Sequence, residues 1–207
     1  FKILSNHYRP INNLFMGQYI SALYVPWYYI LVWIAITTPI LYLLLFIVGI
    51  YFSTKRIANR LLKIEDGTYK DLWRGNNEKI DLIYILIIIL PVLTVIIFHS
   101  SLYTGWRHLY FIYPFIILLS IHGLYLLNLL FFNNLKIFSS ILFVFIISTA
   151  YWMYKNHPYQ HVYFNYFGGK KFNENFDMDY WGLNNYSALN HLIKNNKNVV
   201  IVALIGN

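Results

Sequence analysis

Four stretches of the chain, 28–52, 82–98, 109–132 and 137–154, are almost continuously apolar, and polar residues gather between and beyond them. A helix needs roughly 17–25 apolar residues to cross a hydrocarbon core, so each stretch is read as a transmembrane helix. The second and fourth lie near the short limit. None has the form of a secretory signal, since the first lies too far into the chain and lacks a small-residue cleavage site. The expected fold class is an α-helical integral membrane protein. Its parts are a segment 1–27, a transmembrane region 28–154, and a tail 155–207 that begins a small α/β unit.

Composition agrees: 58% of the 207 residues are hydrophobic and 12% are charged, against about 25% charged in ordinary soluble domains. Charge placement then orients the helices. Seven of the sixteen basic residues (Lys55, Arg56, Arg60, Lys63, Lys70, Arg74 and Lys79) lie between the first two stretches, and short basic loops stay in the cytoplasm. With four spans, residues 1–27, the 99–108 loop and 155–207 are expected outside, and the turn at 133–136 inside. The 55–63 cluster reads either as a topology anchor or as an attraction to anionic lipid. The chain has no cysteine, which excludes disulfides and thiolate chemistry. Its net charge of +8 comes with no nucleic-acid-binding motif, so no nucleic-acid partner is expected.

The two ends carry expectations of their own. The chain begins at Phe1 without an initiator methionine. Near the other end, Tyr186–Lys194 reads as a short helix and Val199–Ile205 as a buried strand, the opening of an α/β unit cut off at Asn207. Within the apolar stretches, Pro39, Pro91 and Pro114 are expected to kink their helices, and His122 and Asn128 are the chief polar groups of the third.

Candidate chemistry concentrates in two places. In "SLYTGWRHLYFIYPF" (100–114), Trp106, Arg107 and His108 are consecutive at the lip of the third stretch. Arginine offers a fixed fork of donors suited to phosphate oxygens. Histidine beside it donates to the same anion or relays a proton. Gly105 permits close backbone approach. The reading is a clamp for a lipid-linked phosphate; a snorkelling anchor is the plain alternative. The second place is the tail, "HPYQHVYFNYFGGKKFNENFDMDYWGL", rich in aromatic rings and amides. Rings stack on apolar sugar faces and amides pair with hydroxyls; an interfacial loop lying on headgroups is the other reading. Gly168-Gly169 before Lys170-Lys171 is either an anion-facing turn or a plain one. Asp177 and Asp179 have the i, i+2 spacing that can share a divalent cation. The preferred reading is one aspartate bonding within the loop or touching an acceptor, with no metal or other cofactor.

The ordered set "YISALYVPWYYILVWIAITTPILYLLL", "YTGWRHLYFIYP", "HPYQHVYFNYFGG" and "FDMDYWGL" resembles the C-terminal half of bacterial membrane glycosyltransferases of the GT-C superfamily, over about residues 13–192. These are the family 39-type enzymes related to protein O-mannosyltransferases and the lipid A aminoarabinose transferase. The resemblance implies sugar transfer from a polyprenyl-phosphate donor on the outer face of the bacterial inner membrane, without a nucleotide. The candidate donor or acceptor contacts, read from the residues, are Trp106, Arg107, His108, His157, Tyr159, Tyr163, Asn165 and Asp179. The resemblance also implies a catalytic acidic residue in a first external loop, to which no residue here corresponds, so these 207 residues alone are expected to be inactive. Two other classes compete. A non-enzymatic carrier or flippase for a lipid-linked sugar would use the same clamp, and a membrane scaffold would use none of it.

Overall fold

The computed structural model describes residues 12–62, 76–102, 105–132, 135–160, 163–178, 182 and 184–195. The chain is mostly helical. A hairpin of β1 (Asn12–Phe15) and β2 (Gln18–Ser21) comes first, paired antiparallel with Phe15 opposite Gln18. Its two-residue turn, Met16-Gly17, has both residues at positive φ (53° and 79°). That is the backbone of a type I′ turn, whose twist matches that of the flanking strands. Helices follow: α1 (Tyr29–Thr37), α2 (Ile40–Leu62), α3 (Asn76–Ile97), α4 (Tyr113–Leu127) and α5 (Leu135–Lys155). A 3-10 turn (Arg107–Ile112) leads into α4 and a π turn (Asn128–Phe132) leaves it. In the tail lie a 3-10 turn (Tyr166–Gly168), α6 (Phe172–Asn175) and α7 (Asn184–Asn195).

Three helical segments among the described residues are long and apolar enough to cross a membrane: Ile40–Asn59, Glu78–Ile97 and Arg107–Leu130. The expected four spans are thus three among the described residues: helix α5 forms over the fourth expected stretch but is not among these segments. The first expected span, 28–52, is corrected: it is two helices. Pro39 forces the residue before it out of helical geometry, and Thr38 is extended (φ −99°, ψ 136°). What the sequence suggested as a kink is a full break, and the apolar segment able to span starts at Ile40. Pro114 does not kink its helix either. It sits in the first turn of α4, where its missing N–H would have had no helical partner. Pro91 lies inside α3, which continues through it. The expected terminal helix is present as α7; the expected strand at 199–205 lies outside the described residues.

Helices α2 and α4 make the most extensive helix contact, and glycine makes it possible. A Cβ placed on Gly49 would lie 2.0 Å from the Leu119 carbonyl oxygen, and one on Gly123 would lie 2.2 Å from that of Leu45. The two backbones touch. Ser120, buried in the same seam, donates to the Tyr42 carbonyl (2.9 Å) and that of Ile116 (2.8 Å). Helix α3 packs on both α2 and α4. Its other face exposes large apolar side chains, among them Leu90, Leu93 and Ile97, and α5 exposes Phe143, Val144 and Ile147.

The bundle has two unlike ends. At the capped end, the hairpin, α1, the segment before α4 and the tail are tied together. Asn13 Nδ2 donates to the Leu102 carbonyl (2.8 Å), and Leu102 N–H to that of Ala22 (3.0 Å). Phe15 bridges to Phe176, and the Gly17 N–H donates to Asn175 (3.0 Å). At the other end, here called basic, Arg56 of α2 forms an ion pair with the buried Asp81 of α3.

Candidate functional site

The break between α1 and α2 builds the floor of the capped end. An extended Thr38 and a proline without an N–H leave carbonyls at the end of α1 without helical partners. The tail supplies them from far along the chain. Asn165 Nδ2 donates to the carbonyls of Ala35 and Thr38 (both 2.6 Å), and its backbone N–H donates to Ile36 (2.8 Å). Its Oδ1 accepts from the Phe167 N–H (2.8 Å), holding the 3-10 turn 166–168. The sequence put Asn165 among ligand contacts; its amide hydrogens are both spent on the backbone.

Above this floor, Trp33, Phe164, Phe172 and Phe176 form an aromatic cluster. Ring centroids are 5.1 Å apart for Phe164–Phe172, 5.5 Å for Trp33–Phe176 and 6.0 Å for Trp33–Phe164. Such pairs contribute about 0.5–1.5 kcal/mol each beyond their buried area. Much of the aromatic richness of the tail therefore packs the cap. Gly105, at φ +71°, brings its backbone onto the Trp33 ring, where an added Cβ would sit 3.7 Å from Cε3. The close approach expected of Gly105 is thus made to the protein's own indole.

Trp106 is buried and fixed in orientation. Its Nε1 donates to Thr37 Oγ1 (2.9 Å), and that hydroxyl donates to the Trp33 carbonyl (2.6 Å). Its ring meets Tyr110 edge-on at 4.8 Å. Around it lies a cavity of 390 Å³ whose wall includes Trp33, Thr37, Trp106, Tyr113, Tyr163 and Asp177. A second cavity, of 620 Å³, lies between α2, α4 and α5, with Leu41, Tyr42, Phe145 and Trp152 in its wall. The two share Thr37, Tyr113, Gln160, Tyr163 and Phe164, so they adjoin. Both fall in the size range of small-molecule sites, about 300–1,000 Å³.

Asp177 is the acidic group of this wall. Its Oδ2 accepts from the Leu14 N–H (3.0 Å), and its own N–H donates to the Leu14 carbonyl (3.2 Å). The preferred sequence reading was one aspartate bonding within its own loop or touching an acceptor; Asp177 instead bonds Leu14 of β1 while also facing the cavity. Burial raises its carboxyl above the ordinary 3.8, and the Leu14 hydrogen bond opposes that rise. Burial likewise raises the Tyr163 phenol, with Tyr42 adding to it. Tyr163 also meets Trp152 edge-on at 4.7 Å.

The other expected residues are placed as follows. Arg107 is half-buried and His108 exposed in the turn that follows Trp106, and neither lines the two cavities. His157 is exposed, its Nδ1 in a hydrogen bond with Gln160 Nε2 (2.7 Å). The Tyr159 hydroxyl hydrogen-bonds Ser187 of α7. Asp179 lies outside the described residues. The structure thus brings Trp106 and Tyr163 together, with Gln160 linking His157 to the cavity wall. Sequence reasoning missed Trp33, Thr37 and Gln160. Their signal was weak, since Trp33 and Thr37 sit in an apolar run read as lipid-facing span. Among the described residues no three His, Asp or Glu side chains form a metal-holding group. Comparison of the chain with protein-family models, with curated proteins and with solved structures gives no match in any of the three.

Proposed function

We propose that this chain is part of a multi-pass glycosyltransferase of the bacterial inner membrane, moving a sugar from a polyprenyl-phosphate donor to an acceptor. The capped end faces outward, and α5 is a fourth span returning the chain to that face. The observation that carries the reading is the pair of adjoining cavities at one end of an apolar bundle. The smaller has aromatic rings, an amide, a hydroxyl and one carboxylate in its wall, groups that suit a sugar. The larger is walled mainly by apolar and aromatic side chains from three helices and suits the first isoprene units. Arg107 and His108, next in sequence to Trp106, would meet the phosphate at the rim.

The chemistry is a displacement at the anomeric carbon. The acceptor oxygen bonds to it as the bond to the phosphate oxygen breaks, and the polyprenyl phosphate leaves with the electron pair. Arg107 stabilises the charge on that leaving group. Asp177, with one oxygen taken by Leu14, holds a hydroxyl on the other. By the family resemblance, the carboxylate that takes the acceptor proton comes from outside these residues.

Orientation is tested by single-cysteine labelling, which a cysteine-free chain allows. A cysteine at position 175 should react with an impermeant reagent from outside, and one at position 70 should not. Function is tested in vesicles with a panel of polyprenyl-phosphate sugars and the longest protein that contains this chain. The expected outcome is donor consumption, with Arg107→Lys markedly impaired because a point charge cannot replace a bidentate fork. An Arg107→Lys protein with wild-type donor binding and turnover would reduce Arg107 to an anchor. Transbilayer movement of the lipid-linked sugar without transfer would favour a carrier instead.

A further inference from the structure

At the basic end, α2 and α4 flank an open cavity of 380 Å³ lined by Phe52, Lys55, Arg56, Asn59, His122 and Leu126. We propose that it binds the phosphodiester headgroup of an anionic phospholipid. Its depth is the first argument. The apolar segment of α2 ends at Asn59 and that of α4 at Leu130, so Lys55 and Asn59 stand in the last turn before water, where headgroups lie. Basic residues there attract anionic lipid.

Charge is the second argument. Among the described residues no carboxylate lines the cavity. Asp81 neutralises Arg56 from α3, and Glu78, one turn earlier on α3, has an interaction of its own. Lys55, whose ammonium lies 5.8 Å from the Tyr51 ring centre, supplies the surplus. With histidine counted as neutral, the lining carries one net positive charge, which matches one phosphodiester better than a doubly charged phosphomonoester.

Hydrogen bonding is the third argument. The buried Nε of Arg56 has no hydrogen-bond partner among the described residues. That atom has essentially no exposed surface, so a headgroup would meet the Lys55 ammonium and the other polar groups of the lining instead. The Asn59 amide and the His122 ring add polar contacts. Phe52 and Leu126 form an apolar part of the wall, which suits the start of an acyl chain and has no use for free phosphate. The site rests neither on glycosyl transfer nor on which leaflet it faces.

The test is native mass spectrometry of the full chain after extraction from vesicles of equal phosphatidylglycerol and phosphatidylcholine. The expected result is preferential retention of one phosphatidylglycerol. The double variant Lys55→Gln/Asn59→Ala should cut that preference about fivefold or more, the effect of one lysine near a charged surface. Lys171→Gln, at the capped end, should leave it unchanged, and thermal unfolding in phosphatidylcholine alone should match for all three proteins. Equal retention of both lipids by the parent chain would overturn the proposal, as would an undiminished preference in the double variant. Displacement of the lipid by millimolar inorganic phosphate would reassign the cavity to a soluble anion.

Discussion

At the capped end a buried amide, Asn165, reaches three carbonyls around one helix break, and each of its amide hydrogens has a partner. At the basic end a buried carboxylate, Asp81, meets one nitrogen of Arg56, while the Arg56 Nε, Ser53 Oγ and Asn128 Oδ1 are buried without hydrogen-bond partners. Both ends hide polarity. Neither satisfies all of it: Tyr29 Oη, Trp33 Nε1 and Thr38 Oγ1 at the capped end are also buried without hydrogen-bond partners among the described residues. The difference lies in the kind of tie: the cap is held by a neutral amide bonded to backbone carbonyls, the basic end by an ion pair between side chains.

Removing the amide is the strongest way to break the comparison. Asn165→Ala should cost about 3 kcal/mol, since unpaired buried groups cost about 1–3 kcal/mol each. Hydrogen exchange should rise in the hairpin and the tail while α3 stays protected. Uniform loss of protection would mean that the two ends are not separate units. At the basic end, Arg56→Ala should cost less, about 2 kcal/mol: it strands Asp81, but the Arg56 side chain is 32% exposed, and fully buried pairs cost about 3–5 kcal/mol to break. The double variant Arg56→Met/Asp81→Leu should recover most of that loss, which a thermal-unfolding series in nanodiscs would show.

Trp106→Phe keeps one aromatic ring, loses the rest of the buried indole and deletes the bond to Thr37, so a loss of about 2 kcal/mol is expected. Tryptophan emission from the cavity would change with it. The smallest effect concerns Asp177. Its folded carboxyl titrates above the ordinary 3.8, so the unfolded chain ionises first as pH rises. Stability therefore falls across that window and levels off above the folded value. Asp177→Asn keeps an acceptor for the Leu14 N–H and removes the titration. It should match the parent chain below pH 3.8 and be slightly more stable near neutral pH. A variant that gains nothing there would show that the carboxylate is not strained by its burial.

The helices were legible because a long apolar run has few other structures open to it. Their ends were less so. Pro39 announced a disturbance between Thr38 and Ile40, but its size depends on Asn165, more than a hundred residues away, and no local pattern encodes that partner. The Met16-Gly17 turn carries a hairpin signal only in its glycine, which is why the segment before Tyr28 went without a strand prediction. At the site, Trp106 and Tyr163 could be joined by topology, because both follow from which ends of the helices meet. The turn that places Trp106 in the cavity wall and leaves His108 exposed could not: consecutive residues share a sequence, but a 3-10 turn sends them in different directions.

Gly49 and Gly123 have a consequence in time. The helix that fills the groove on α2 is not its neighbour in the chain, because α3 is made between them. At about 5–20 residues per second, α2 is made several seconds before α4. For that interval the carbonyl of Tyr42 lacks Ser120, and the groove around Gly49 lacks the backbone that fills it. Whatever fills that groove first has to leave before the two backbones can touch.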